Sequence, residues 1–117
     1  LNVHEGPMSI RMDFNDQTIK EGMVISNEPG VYREGEYGIR TENMMVCVAK
    51  KTNMHGKFLG FETLTLCPID TKMIKRELLS GNEVRWINNY NQLVYNKLYP
   101  LLNDDLKAFL QKKTLPI

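Results

Sequence analysis

One stretch constrains the fold more than any other: "MVISNEPGVYREGEYGIRTENMMV", Met23 to Val46. Two runs rich in Val, Ile, Met and Tyr flank a charged cluster centred on Gly35, which is the pattern of a β-hairpin. Pairing centred on Gly35 sets residue 28 opposite residue 42, and both are glutamates. Directly opposed residues of an antiparallel pair share a face, with Cβ atoms about 4.5–5.5 Å apart. Two carboxylates so placed repel unless a cation lies between them. The spacing suits carboxylates that bridge metal ions about 3.5–4 Å apart. It also suits a solvated ladder of surface charges, with Arg40 on the same face as Glu42 by the period of two and little energy at stake. A slip of one residue in register would send the two glutamates to opposite faces. Two neighbours bear on the choice. Pro29-Gly30 distorts the strand just after Glu28, and His4 in "NVHEGP" offers a proton donor or substrate anchor.

The rest of the chain reads as strands first and helices after. β-prone runs cover 23–32, 38–50 and 58–67, separated by the turn clusters "REGEYG" and "KKTNMHGK", with His55 in the second read as a surface residue. Ser80 followed by Glu83 is a capping-box pattern, and Trp86, Ile87, Tyr90, Leu93, Val94 and Leu98 recur at helical spacing. This stripe is read as core or dimer contact. Pro100 stops the helix, and Asn103 caps a second one that carries Asp104 and Asp105 in its first turn and Lys112 and Lys113 in its last. The expected class is α+β: an antiparallel sheet followed by C-terminal helices.

Charge excludes some functions. A formal net charge of +1 gives no electrostatic case for nucleic acid or an anionic membrane. No apolar run approaches the length of a membrane span. The opening "LNVHEGP" lacks a Met, a basic n-region and an apolar h-region, so the chain reads as a fragment of something longer. Cys47 and Cys67 both lie in apolar contexts and are expected as buried reduced thiols, which fits a cytoplasmic setting.

Taken together and in order, "NVHEGP", "GMVISNEPGVY" and "GIRTEN" resemble the C-terminal part of the catalytic domain of Xaa-Pro aminopeptidases (aminopeptidase P), which are pita-bread metallopeptidases. The tail "FLGFETLTLCPID" with "ELLSGNEVRWINNYNQLVYNKLYPLL" is similar to the C-terminal extension of the longer, cytosolic type. The resemblance implies a partial pita-bread fold over 1–69 and a helical extension, 70–117, packed on it. It implies a parent enzyme that hydrolyses the bond between an N-terminal residue and a following proline, using two divalent ions, commonly manganese. Glu28 matches a terminal metal ligand that helps activate water. Glu42 matches the ligand that bridges both ions, and His4 a histidine that contacts substrate near the scissile bond and moves protons. Arg40 and Tyr32 match residues that support the ligands. Two aspartates and a histidine complete the family's site, all upstream of Leu1, so this chain alone is expected to be inactive. The expected partner besides the peptide is a second copy, in a homodimer. A binding-only pita-bread module and a prolidase-type dipeptidase are the alternatives; the first would have lost the carboxylates, and the second would lack the long tail.

Overall fold

The computed structural model describes residues 6–117. The chain divides into two compact units between Thr65 and Leu66. The first unit is antiparallel β and the second is helical, an α+β arrangement.

The first unit holds β1 (Val24–Asn27), β2 (Gly30–Arg33), β3 (Tyr37–Arg40), β4 (Asn43–Asn53) and β5 (Gly56–Thr63). β1, β4 and β5 form a three-stranded sheet in the order β1-β4-β5, and β2 pairs with β3. The two long β runs of the sequence are therefore each cut in two, at Glu28–Pro29 and at Thr41–Glu42. Proline is the cause: it has no N–H to return the ladder bond that Thr41 N–H donates to the Pro29 carbonyl at 3.2 Å. Register survives the cut. Asn27 pairs with Asn43 on one side and Gly30 with Arg40 on the other, so one hairpin centred on Gly35 runs through both ladders. Odd-numbered Ile25 and Cys47 are buried on one face, while even-numbered Val24 and Met44 are exposed on the other. β5 ends before the expected 67. Beyond it, Leu64 N–H still donates to Met44 O, but Met44 N–H turns to the Thr65 hydroxyl instead of a strand carbonyl.

The second unit is organised by α1 (Gly81–Leu98) and α2 (Asp104–Lys113). Ser80 and Glu83 close a capping box on α1, and the Asn103 side chain accepts from Leu106 N–H at the start of α2. Tyr90, Val94 and Leu110 form the core, with Ile69, Leu98, Tyr99 and Leu102 packed against it. The buried face of α1 is Val84, Ile87, Tyr90, Asn91 and Val94. Trp86 and Leu93 of the expected stripe instead stand 51% and 40% exposed. The phase goes with Asn91, whose side-chain oxygen accepts from Ile69 N–H at 3.1 Å, while its buried Nδ2 has no partner among the described residues, so the bond offsets only part of the cost of burial. Trp86 covers this face from outside by stacking on Tyr90, ring centroids 5.7 Å apart. Cys67 is exposed, against the expectation, whereas Cys47 is buried. The carbonyl of Cys67 faces inward, accepting from the Tyr90 hydroxyl at 2.9 Å, and its thiol is left outside.

Burial holds the Tyr90 hydroxyl above its ordinary value of 10.0. The fold favours the protonated phenol, so this contribution is complete below the unfolded value and is lost as pH rises through the raised folded value. Urea unfolding followed by helical circular dichroism should show stability falling above about pH 10. Tyr90→Phe should reduce that fall and cost about 1 kcal/mol at neutral pH, from the lost hydrogen bond.

Candidate metal centre

The break in the ladders is where Glu28 and Glu42 sit. Residues 29 and 41 occupy a hydrogen-bonded position, as the Thr41–Pro29 bond shows. The positions on either side are then non-hydrogen-bonded pairs, the class in which opposed side chains come closest. Continuing the common register across the gap puts Glu28 opposite Glu42 on the even face. Both line one cleft of about 540 Å³, together with Met8, Ser9, Ile10, Arg11, Ser26 and Met44.

One guanidinium joins the two acids. Arg40 Nη1 lies 3.3 Å from Glu28 Oε2, and Nη2 lies 3.1 Å from Glu42 Oε2. Ser26 Oγ donates to Glu28 Oε1 at 2.7 Å. Glu28 is thus fixed at both oxygens and only 22% exposed along its side chain, which is not the state of a freely solvated surface acid. Arg40 is held more firmly cationic than usual, first by its hydrogen bond to the Tyr32 oxygen and then by the charges of Glu42 and Glu28. The Arg40 guanidinium is shared by the two carboxylates, and Arg11 lines the same cleft. Each carboxylate oxygen offers two lone pairs, so a bond to Ser26 or Arg40 does not exhaust it as a ligand. Hard oxygen donors of this kind suit magnesium, calcium or manganese.

The other expected residues divide. Arg40 and Tyr32 join the carboxylates; His4 lies outside the described residues. Among the described residues no group of three His, Cys, Asp or Glu side chains is placed to hold a metal. Ser26 and Gly38 were not singled out in the sequence, and Gly30 was noted only for distorting the strand after Glu28. Ser26 lies two before Glu28, and Gly30 and Gly38 lie on the same face. The period of two was the available signal, since it puts Ser26, Glu28, Gly30 and Tyr32 on one side of their strand. The Tyr32 ring lies flat across the two glycines: a Cβ built on either would come within 2.7 Å of it.

Comparison with known proteins agrees along the whole chain. The model of metallopeptidase family M24 matches residues 1–49, and that of the C-terminal region of peptidase M24 matches residues 57–117. A probable Xaa-Pro aminopeptidase P of Coprinopsis cinerea is 47% identical over 124 residues, covering 100% of this chain and 20% of the relative. Xaa-Pro aminopeptidase ApepP of Drosophila melanogaster is 45% identical, covering 100% and 21%. The crystal structure of an X-prolyl aminopeptidase from Caenorhabditis elegans, a cytosolic enzyme with a di-nuclear active site, superposes with a TM-score of 0.82 at 34% identity, covering 100% of this chain and 20% of that one. The chain spans about a fifth of the length of these relatives.

Removing the guanidinium should expose the repulsion it masks. Arg40→Met is expected to lower the thermal midpoint of the first unit, with part of the loss recovered by Glu42→Gln in the same chain. The loss should shrink in molar salt, where the Debye length falls to about 3 Å. A double-mutant cycle by calorimetry at low and high salt measures both effects.

Proposed function

Because the chain belongs to metallopeptidase family M24, we propose that it is the C-terminal part of a dinuclear-metal aminopeptidase that hydrolyses the N-terminal Xaa-Pro peptide bond. Residues 1–69 belong to the catalytic domain in this reading, and 70–117 are its helical extension. The observation that carries it is the carboxylate pair: Glu28 and Glu42 line one cleft and share the Arg40 guanidinium. The carboxylate oxygen donors fit hard divalent ions, with manganese as the proposed metal. Such ions supply Lewis acidity, making water nucleophilic at neutral pH and polarising the scissile carbonyl.

Within this scheme Glu42 would be the carboxylate shared by both ions, and Glu28 would be a ligand of one and would also help take a proton from the attacking water. Ser26 and Arg40 each hold one oxygen of Glu28, which fixes its carboxylate plane before any ligand arrives. Tyr32 in turn holds Arg40. His4 contacts the substrate near the scissile bond and carries a proton to or from it. Three further ligands, two aspartates and a histidine, come from the part of the protein N-terminal to this chain. The substrate is a peptide with proline at its second position, and the enzyme is a cytosolic homodimer; the Caenorhabditis relative's cytosolic character and di-nuclear site support the compartment and the metal count.

In the full-length protein, Glu42→Gln or Glu28→Gln should reduce kcat on an Xaa-Pro peptide by more than about 100-fold, since loss of a ligand exceeds the 10–100-fold effect of losing a residue behind one. The isolated 117-residue chain should show no hydrolysis with added manganese. Full activity in either glutamine variant, or turnover by the isolated chain, would overturn the assignment.

A further inference from the structure

We propose that Gly30 and Gly38 are positioning residues of the metal centre: the notch they leave on the β2–β3 hairpin seats the Tyr32 ring so that its hydroxyl holds Arg40 between Glu28 and Glu42. The inference rests on the reading of those glutamates as metal ligands.

Neither glycine is there for its backbone. The glycines with positive φ are Gly22, Gly35 and Gly56; Gly30 and Gly38 are not among them. Both lie inside strands, where glycine has no side chain to pack and weakens the element. What they supply is space. A Cβ on Gly38 would stand 2.7 Å from Tyr32 Cδ1 and 3.1 Å from Cε1. One on Gly30 would stand 2.7 Å from both Cε2 and the hydroxyl oxygen. Carbon atoms settle at about 3.5–4.0 Å, so either methyl would displace the ring.

Register shows where the ring must point. Tyr32 pairs with Gly38, and Gly30 pairs with Arg40. The root of the ring therefore lies over its own partner. Its tip crosses Gly30, the residue paired with Arg40, which places the hydroxyl on the face that carries the guanidinium. Arg40 then has Glu28 and Glu42 at its two terminal nitrogens, and the Tyr32 hydroxyl over Gly30, the residue paired with it. Without Tyr32 a long, half-exposed side chain regains its rotamers, and the two carboxylates lose the cation that fixes their spacing. Gly38 is the more sensitive position. Its methyl would strike the ring near the root, where only rotation of the whole side chain gives relief, whereas Gly30 faces the tip.

Manganese titration of the full-length protein by calorimetry tests the proposal. Gly38→Ala should weaken manganese binding about 10–100-fold, the range for residues that orient metal ligands. Tyr32→Ala should weaken it similarly, and adding Gly38→Ala to Tyr32→Ala should change nothing more, because the ring it would strike is gone. Tyr32→Phe keeps the ring and drops only the hydroxyl, so it should weaken binding even if the glycine variant fails to fold. Wild-type affinity in Gly38→Ala with manganese uptake intact, or an equal loss in the Tyr32→Ala background, would overturn the inference alone. A wild-type protein that takes up no manganese would overturn the metal reading with it.

Discussion

Two carboxylates on neighbouring strands are a liability, and the Arg40 guanidinium makes the arrangement tolerable. Its two nitrogens reach Glu28 and Glu42 at 3.3 and 3.1 Å. A planar fork does this better than an ammonium, because it can face two acceptors at once in fixed geometry. The hairpin register, the break at Pro29 and the flat seating of Tyr32 all converge on that cation. The break matters because it falls at residues 29 and 41, the hydrogen-bonded position between the Glu28–Glu42 pair and the Gly30–Arg40 pair. The ladder loses one bond there without losing register, so the carboxylates keep their alignment across an interruption.

Much of this was legible before any coordinates. Gly35 as the centre of the turn and the period of two together point to the pairing of 28 with 42, with a slip of one residue as the open alternative, and Arg40 follows by the same parity. The capping residues Ser80, Glu83 and Asn103 were legible because caps depend on local spacing alone. What the sequence hid depends on contacts between distant segments. The α1 stripe was read from apolar residues, but its phase goes with the bond from Ile69 N–H to Asn91, 22 residues away. That bond buries a polar residue and leaves Trp86 half out. Cys67 looked internal because its neighbours are apolar; the backbone there turns its carbonyl to Tyr90 and its thiol to solvent. The Gly30–Tyr32–Gly38 contact was hidden for another reason: a glycine in a strand reads as weakness until the ring that needs the space is seen.

The boundary between the two parts of the chain differs according to what is compared. The family models divide it between residues 49 and 57, so that β5 falls with the C-terminal region. The structure divides it between Thr65 and Leu66, and β5 belongs to the first unit. The register explains the difference: β5 pairs with β4 from Asn53↔Gly56 to Met45↔Thr63, filling the edge of β4 that β1 does not cover. Leu64 and Thr65 extend the grip to both backbone groups of Met44. Met44 is two residues from Glu42 and lines the same cleft. The strand that presents Glu42 is thus fixed on one edge by β1 and on the other by residues matched to the C-terminal region. An unpaired edge would leave β4 free to twist or slip, and a slip of one residue would turn Glu42 away from Glu28. The start of the C-terminal region is therefore part of what holds the carboxylate pair in place.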